Sequence, residues 1–317
     1  MIFSWFKKTF IYTSLIMLFC LKIYSIDLKT LREKQTFTVS QNITYALVTS
    51  FLSGKVTSCV INGDGTFSNC IDTANGNNAI SDKYISSIDF DDYNNAYLST
   101  YTMKGFPDFS YAICPINYSG LLTCNLHEDI NVNVWGNNIA FYKGYAFLSS
   151  LGTNTISVCG RDINGTLVGC HNTISLTKPW RITIHNNYAY ITGLNDKITL
   201  CTINNGFFSN CSYTGNGFNV PIRIVFNKNN AYIGNENSNS VSKCDVNSDG
   251  SLTNCGTTAF GFSGVTDLAI FNNFAYILNI SINSVSKCKI QDDGSLLNCE
   301  LTGYNFSNPR SIAIHTP

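Results

Sequence analysis

Twelve of the thirteen cysteines in this chain fall into six pairs, and the two members of each pair stand ten or eleven residues apart. The first cysteines of successive pairs follow one another at intervals of 42 to 55 residues. The pairs are Cys59 with Cys70, Cys114 with Cys124, Cys159 with Cys170, Cys201 with Cys211, Cys244 with Cys255, and Cys288 with Cys299. A feature that recurs at this period indicates a chain built from repeated structural units.

Each cysteine pair belongs to a longer repeat. One unit contains an apolar stretch such as "WRITIH" at 180–185, an Asn-rich turn, an Ala-Tyr stretch such as "NYAYITG" at 187–193, and then the cysteine pair around a Gly-containing turn. β-Branched and aromatic residues bounded by turn residues are typical of short strands. We find no helical period of useful length after the N-terminal segment. Four short strands in every unit predict an all-β fold in which each unit is one blade of a β-propeller.

The number of units predicts six four-stranded blades. A seventh first strand, "PRSIAIH" at 309–315, comes after the sixth complete unit. We expect this C-terminal strand to become the innermost strand of the blade that begins with "ITYALV" at 43–48, because such closure removes an open sheet edge. Seven blades are the alternative, since "TFTV" from Thr36 could add a strand.

The Asp-Gly or Asn-Gly turn suggests how the cysteines are used. If these two residues form a type I′ hairpin loop, the register places Cys244 opposite Cys255, and the same count holds in three other units. The two remaining pairs then need a turn one residue shorter. Directly opposed residues in an antiparallel pair lie within disulfide range, so we expect one disulfide across the outer hairpin of each blade. Free thiols are the alternative.

Metal binding is a weaker interpretation of the same residues. Zinc-binding cysteines usually stand two to four residues apart and need a second pair close by. The stretch 245–250 begins like the calcium loop of an EF-hand, but the twelfth position is Gly256 where a Glu is required. We therefore expect no metal and no cofactor.

The N-terminal segment indicates export. Lys7 and Lys8 precede an apolar run at 9–21, and Ser25 follows as a small residue, which is typical of a secretory signal peptide over 1–25. An uncleaved anchor is the alternative; a lipid-modified Cys20 is disfavoured because Phe19 precedes it. We expect a short linker at 26–35 and a single propeller domain at 36–317. The even count of twelve cysteines fits an oxidising compartment, so we expect a secreted or periplasmic protein.

The charge of the chain bears on its partners. The formal net charge is zero and only 13% of the residues are charged, so the basic footprint expected for nucleic-acid binding is missing from the sequence. We expect an unknown protein or small molecule as the partner, contact with a membrane only through the signal sequence or an uncleaved anchor, and a monomer.

Several stretches resemble a known group of propellers. These are the strand start "PxRIxI", the strand "AYI", the strand "NSVSxC" and the turn "DGSL". Over residues 36–316 the chain resembles the secreted or periplasmic propellers grouped as YncE-like, NHL-like and lactonase-like. The resemblance implies a propeller and leaves the activity open. Lactonase-like and lyase-type members use a His or an acidic residue at the mouth of the central channel, and no such residue can be matched here.

A propeller has two faces, and the insertions fall on one of them. The hairpins between strands one and two and between strands three and four lie on one side, which we call the hairpin face. The loops between strands two and three and the connections between blades lie on the other, the inter-blade face. Two long insertions, at 72–82 and 101–109, belong to the inter-blade face. Long loops on a rigid scaffold often carry function. The alternative is sequence drift in surface loops without any functional consequence.

The same face carries the first residues of the channel-lining strands. Arg181 and Arg223 take the same position in two units, and Arg310 stands one residue off it in the closing strand. The corresponding position holds Asp267, Asn138 and Ser87 in other units. We therefore predict a mixed polar ring at the channel mouth as the candidate ligand site, because Arg suits a carboxylate or phosphate group. Local pairing of each Arg with a loop carbonyl or with Asp267 is the alternative.

These observations favour a secreted binding or interaction module that acts through the inter-blade face. A lactonase-type or lyase-type enzyme using the channel mouth is the alternative, and a structural protein of the envelope is the second. The sequence has no Gly-x-Ser-x-Gly motif and no His-rich cluster, and two of its four histidines, His185 and His315, recur at one repeat position. The sequence therefore names no reaction.

Overall fold

The structure is a computed structural model that describes residues 43–73, 80, 83–102, 109–117, 119–128 and 136–316. The predicted signal peptide and linker, and residues 36–42 of the predicted propeller domain, lie outside the described residues. The described residues form 24 strands and one short 3-10 turn, Ile280–Ile282.

The strands form six antiparallel four-stranded sheets, each running from an inner strand at the channel to an outer edge. Blade 1 consists of β24 (Pro309–His315), β1 (Tyr45–Ser50), β2 (Lys55–Ile61) and β3 (Phe67–Asp72). Blade 2 consists of β4 (Lys83–Phe90), β5 (Asn95–Thr102), β6 (Phe109–Pro115) and β7 (Asn125–His127). Blade 3 consists of β8 (Gly136–Tyr142), β9 (Tyr145–Ser150), β10 (Thr155–Arg161) and β11 (Leu167–Ser175).

The second half of the chain follows the same plan. Blade 4 consists of β12 (Pro179–His185), β13 (Tyr188–Gly193), β14 (Ile198–Asn204) and β15 (Phe207–Thr214). Blade 5 consists of β16 (Pro221–Asn227), β17 (Asn230–Asn235), β18 (Ser240–Val246) and β19 (Leu252–Phe260). Blade 6 consists of β20 (Val265–Phe271), β21 (Phe274–Asn279), β22 (Ser284–Ile290) and β23 (Leu296–Tyr304).

The C-terminal strand closes the ring, as the sequence predicted. β24 pairs antiparallel with β1 in a register that joins Ala46 to Ile314. The inner strands β24, β4, β8, β12, β16 and β20 contact one another in this order and return to β24. The prediction of six blades is therefore confirmed.

Six disulfides confirm the predicted cysteine pairing, one across the outer hairpin of each blade. The bridges join Cys59 to Cys70, Cys114 to Cys124, Cys159 to Cys170, Cys201 to Cys211, Cys244 to Cys255, and Cys288 to Cys299. The first cysteine of every pair is buried on the third strand of its blade. The second cysteine is partly or largely exposed in five pairs, and only Cys124 of blade 2 is buried as well.

The buried cysteine of each disulfide limits the size of the residue that lies opposite it. The first cysteine stands opposite the alanine of the Ala-Tyr strand, as Cys244 does opposite Ala231. This alanine is fully buried in every blade. A small residue suits this position because it leaves room for the buried cysteine that lies opposite it.

The turn that was predicted for these hairpins is wrong in the pairs separated by eleven residues. In blade 1 the Gly65 amide donates to the Asn62 carbonyl and the Asn62 amide donates to the Thr66 carbonyl, which defines a three-residue loop with Gly65 at φ 80°. The extra loop residue would move the cysteines out of register. A bulge at Asn69, where φ is 47°, restores it. Blades 3, 5 and 6 repeat this arrangement with bulges at Gly169, Asn254 and Asn298.

In the two pairs separated by ten residues, the cysteines also come to lie opposite each other, but the two hairpins achieve this in different ways. Blade 4 has the shorter loop that was predicted, because Asn205 and Gly206 form a two-residue turn with positive φ at both residues and a bulge follows at Asn210. Blade 2 keeps a three-residue loop, in which the Gly120 amide donates to the Asn117 carbonyl, and has no bulge in its described hairpin. The prediction of a shorter turn is therefore wrong for blade 2.

A tyrosine hydrogen bond joins neighbouring blades on the hairpin face. The Tyr190 hydroxyl of blade 4 donates to the carbonyl of Gly250 in the outer hairpin of blade 5, at 2.7 Å. A Cβ on Gly250 would lie 2.8 Å from the ring of Tyr188, so both the positive φ and the space require glycine. Equivalent bonds run from Tyr97 to Gly165, from Tyr232 to Gly294 and from Tyr276 to Gly65. These four bonds hold the outer hairpins of blades 1, 3, 5 and 6 against the preceding blade.

Candidate functional site

The inner strands place the predicted ring residues at one level of the channel. Arg181 precedes Ile182, which pairs with Ile191 of the second strand, and the other blades follow the same register. The equivalent positions hold Arg223, Asp267, Asn138, Ser87 and Ser311. Ser311 therefore completes the ring in the closing strand, and Arg310 lies one residue off it, as the sequence indicated.

Arg181 reaches across the channel to three other blades. Its Nη1 lies 3.2 Å from Asp267 Oδ2 of blade 6 and donates to Ser311 Oγ of blade 1 at 3.0 Å. Its Nη2 donates to the carbonyls of Arg310 and Ser86 at 3.1 and 3.4 Å. Arg181 is only 2% exposed. This geometry fits the alternative of pairing with Asp267, although the accepting carbonyls belong to strands β4 and β24 and not to loops.

Arg223 forms the second half of the same network. Its Nη2 donates to Asp89 Oδ1 of blade 2 at 3.1 Å, and its Nε lies 3.5 Å from Asp267 Oδ1. Asn138 donates its amide to the other oxygen of Asp89 and accepts the Ile182 amide at 2.9 Å. Asp89 was not among the predicted ring residues, because it lies two positions beyond the ring.

The network joins all six blades and is neutral overall. Its side chains are Ser311, Asp89, Asn138, Arg181, Arg223 and Asp267, one from each blade. Burial lowers the pKa of Arg181 to about 10 despite the nearby Asp267. Burial also raises the pKa of Asp89 above its ordinary value, against the attraction of Arg223. Burial of these charges is tolerated because each is paired across the channel.

Arg223 has one guanidinium nitrogen, Nη1, for which the network supplies no partner. Burial works to lower the pKa of Arg223, but the carboxylates of Asp89 and Asp267 outweigh it and raise that pKa, so the guanidinium is charged. Its Nη1 and Nε have no hydrogen-bond partner among the described residues, although Nε lies within 3.5 Å of Asp267. The side chain is 12% exposed. Ligand binding by the ring stays a prediction, and Arg223 is the ring member best placed for it.

Aromatic rings and Arg310 stack at the channel mouth on the inter-blade face. The guanidinium carbon of Arg310 lies 5.0 Å from the ring centre of Trp180 in blade 4 and 5.6 Å from that of Phe51 in blade 1. Phe51 in turn stacks on Tyr84 of blade 2 at 5.1 Å. We call Trp180, Arg310, Phe51 and Tyr84 the mouth stack. All four residues are half-buried, so each leaves part of its side chain open to solvent.

The sequence could not place the mouth stack. Trp180 and Arg310 stand next to repeat positions, but Phe51 lies in a loop and Tyr84 near the start of β4. Three different blades supply these residues. One sequence signal could have pointed to this site. Trp180 is the only aromatic residue at its register position among the six inner strands.

The two histidines of the inner strands lie on the hairpin side. His185 stacks on Phe226 at 4.2 Å, and His315 lies 5.4 Å from the ring of Phe90. Burial lowers the pKa of each imidazole. Both imidazoles therefore pack against aromatic neighbours, in surroundings that disfavour their charged form.

The predicted insertion loops fall mostly on residues that the structure does not describe. Within 72–82 the structure describes 72, 73 and 80, and within 101–109 it describes 101, 102 and 109. Their role in binding therefore stays a prediction. In the described part of the chain, no group of three or more His, Cys, Asp and Glu residues is placed to hold a metal ion. None of the helical segments described there is long and apolar enough to cross a membrane.

No protein-family model and no curated protein matches the chain. Solved structures do match it. A chain from a nidogen/laminin complex is 14% identical, with a TM-score of 0.66, and the match covers 86% of this chain and 98% of that one. A putative 6-phosphogluconolactonase from Bacteroides fragilis is 10% identical, with a TM-score of 0.62 and coverage of 88% and 99%.

A periplasmic gluconolactonase from Pseudomonas aeruginosa is also similar. It is 11% identical, with a TM-score of 0.58, and the match covers 86% of this chain and 100% of that one. At these identities the likeness concerns the fold alone. The similar structures include lactonase-named propellers and give no support to the narrower YncE-like and NHL-like groups. By its fold, the chain is a β-propeller.

Proposed function

We propose that this protein is an extracytoplasmic binding module that holds a partner protein on the mouth stack. The observation that carries the proposal is the set of half-buried Trp, Arg, Phe and Tyr side chains over the channel mouth. The six disulfides support an oxidising, extracytoplasmic setting.

The chemistry of the mouth stack suits a protein interface. Trp, Tyr and Arg are the residues that most often dominate binding energy, because each combines a large apolar surface with a polar group. The stack also leaves little conformational freedom to lose on binding, since every member already packs on a neighbour. The partner is expected to pack apolar side chains against these rings.

The channel below the stack adds rigidity, and Arg310 gives the mouth its charge preference. The network of Arg181, Arg223, Asp89 and Asp267 is neutral, so it does not compensate the positive charge of Arg310 above it. A partner surface that places a carboxylate beside apolar side chains would complement this mouth. One of the similar structures was solved in a nidogen/laminin complex, which supports the use of such a propeller for protein binding.

A lactonase-type enzyme is the second candidate function. Two observations favour it: the Nη1 donor of Arg223, which has no hydrogen-bond partner among the described residues, and the lactonase names of two similar structures. The guanidinium would hold the carboxylate or phosphate of a sugar acid at the channel mouth. A structural role in the envelope draws support only from the disulfides.

The test compares two double variants of the mature chain as immobilised baits. Trp180→Ala/Arg310→Ala removes the centre of the mouth stack. Phe260→Ala/Lys228→Ala is the matched control, because it removes one exposed aromatic and one basic side chain elsewhere. Each bait is incubated with the extracytoplasmic fraction of the source cells, and bound proteins are quantified by mass spectrometry.

We expect one protein to be recovered by the wild type and by the control, with recovery reduced at least about tenfold for the mouth variant, as loss of a hot spot predicts. Equal recovery by all three baits, or no recovery above an unrelated bait, would contradict the proposal. A thermal-shift screen of lactones, sugar acids and inorganic phosphate decides on the second candidate. A rise in melting temperature that Arg223→Gln abolishes would favour the enzyme.

A further inference from the structure

The hairpin face has a cleft where blades 2 and 3 meet. It encloses about 360 Å³ between the first hairpin of blade 2 and the outer hairpin of blade 3. Tyr93, 79% exposed, and Ile163, fully exposed, project from these two hairpins, and Arg161 and Asp91 also line the cleft. Blades 4 and 5 form an equivalent cleft of about 340 Å³. Because the cleft recurs, its side chains can be compared with those that the repeat requires.

Arg161 departs from the repeat. The same position, two residues after the first cysteine, holds Ile or Val in the other blades: Ile61, Ile116, Ile203, Val246 and Ile290. Arg161 Nη1 lies 2.9 Å from Asp91 Oδ2, and Nη2 lies 3.0 Å from Asp92 Oδ2, both in blade 2. Its side chain is 5% exposed, and its Nε has no hydrogen-bond partner among the described residues. Five blades fold without such a pair, so the fold does not require it.

The first hairpin of blade 2 also departs from the repeat. The Asp91 amide donates to the Asn95 carbonyl and the Asn94 amide donates to the Asp91 carbonyl, which closes a three-residue loop. Blades 3 to 6 close the same hairpin with two residues, as His185 pairs with Tyr188 in blade 4. The longer loop carries Asp92 and Tyr93 to the cleft.

The third departure is Ile163 at the tip of the outer hairpin of blade 3. The three-residue loops of blades 1, 5 and 6, which are also followed by a bulge, hold Gly63, Ser248 and Asp292 at the same position. A fully exposed isoleucine contributes nothing to the core. The three departures from the repeat therefore meet in one cleft, where they combine apolar walls with buried and exposed charges.

The side chains around the cleft carry an excess of negative charge. Asp91, Asp92 and Asp162 supply three carboxylates, and Arg161 compensates one of them. The Asp92 side chain is 53% exposed, so its carboxylate remains accessible to solvent while it pairs with Arg161. Lys143, next to the lining residue Gly144, holds its ammonium over the ring of Tyr142.

We propose that this cleft binds a lysine or arginine side chain on a protruding segment of a partner protein. The apolar stem of such a side chain would lie against Tyr93 and Ile163, and its charged end would meet the carboxylates. The charge of the cleft complements a basic group and repels an acidic one. The site lies on the face opposite the mouth stack, so either proposal can fail without the other.

The test uses short synthetic peptides as probes of the folded, ¹⁵N-labelled mature chain. Four tetrapeptides, Gly-Leu-X-Gly with X as Lys, Arg, Gln or Glu, are titrated while amide chemical shifts are recorded. We expect the Lys and Arg peptides to shift the amides of Tyr93, Asn164 and Gly165, and the Gln and Glu peptides to leave them unchanged. Binding should weaken as salt is added. Equal shifts with all four peptides, shifts confined to other residues, or no shifts at all would overturn the proposal.

Matched variants separate the cleft from general charge effects. Asp92→Asn/Ile163→Ser removes one accessible carboxylate and restores a polar loop tip, as in blade 5. Asp292→Asn/Tyr213→Ala removes an exposed carboxylate and an exposed ring elsewhere. We expect at least about a fivefold loss of Lys-peptide affinity in the first variant and no change in the second, as for an interface with defined contacts. Loss of the same size in both variants would also overturn the proposal.

Discussion

At the scale of single residues, buried charges are paired with one another at two places in a repetitive protein. Arg161 with Asp91 takes a position where five blades use Ile or Val, and the network around Arg181 fills the centre of the channel. A buried ion pair seldom stabilises a fold more than apolar packing does, but the removal of one partner leaves an uncompensated charge. At each place, replacement of one partner should therefore lower the free energy of unfolding more than replacement of both partners does.

Replacement of Arg161 tests this at the contact between blades 2 and 3. Arg161→Ile restores the residue type of the repeat but leaves the buried carboxylate of Asp91 without its cation, so we expect a loss of about 3–5 kcal/mol in the free energy of unfolding. Arg161→Ile/Asp91→Asn should recover most of that loss. Denaturant unfolding followed by tryptophan fluorescence measures both. A double variant no more stable than the single one would show that the pair itself is required.

The buried histidine of the closing strand predicts a pH effect. Burial lowers the pKa of His315 below 6.5, so the unfolded chain binds a proton more readily than the folded one. The stability contributed by the neutral ring is present above that ordinary value and is lost as the pH falls below it. His315→Phe, the residue type at the same position in blade 6, should show a smaller fall in melting temperature between about pH 7.5 and about pH 5. An equal fall in melting temperature over this pH range for the variant and the wild type would argue against this prediction.

At the scale of strands and hairpins, most of the fold could be predicted from the sequence repeat. The strand register of the outer hairpins could not. Short strands, six blades and the closing strand were predicted because turn residues and β-branched residues recur at fixed positions. A spacing of eleven residues, however, is compatible both with a two-residue loop in direct register and with a three-residue loop followed by a bulge. The Asn before the second cysteine, as in Asn69 and Asn254, was the available signal, since Asn tolerates positive φ.

In the candidate site, too, some features followed from the sequence repeat and others did not. The ring positions of Arg181 and Asp267 were predictable because they share one register in the repeat. The pairing of Arg223 with Asp89 and the contact of Arg310 with Trp180 were not, because they depend on long side chains that cross between blades distant in sequence. Contacts of this kind leave no period in the sequence.

The outer hairpins predict a strong effect of one methyl group. Gly250→Ala should lower the free energy of unfolding by about 1–3 kcal/mol more than Gly217→Ala, as expected for overpacking. Both residues have positive φ, but the new Cβ at Gly250 would meet the ring of Tyr188, whereas nothing lies within 4 Å of the Cβ position of Gly217. Thermal unfolding of the two variants side by side isolates the contact between blades. Equal losses would mean that only backbone strain is involved.

At the scale of the whole molecule, covalent and non-covalent connections have separate roles. Each disulfide lies within one blade, while hydrogen bonds, packed side chains and the channel network join one blade to the next. Residues 262 positions apart in sequence hydrogen bond where β24 meets β1. Both proposed binding surfaces are built from neighbouring or opposite blades, so both require the closed ring of oxidised blades.

Non-reducing peptide mapping tests that ring most directly. The protein is isolated from its source cells, its free thiols are alkylated under denaturing conditions, and the bridged peptides are identified by mass spectrometry. We predict six bridges that match the six hairpin pairs and no alkylation of the twelve cysteines from Cys59 to Cys299. Alkylated cysteines within this set, or bridges between different blades, would contradict the account of an oxidised, extracytoplasmic propeller.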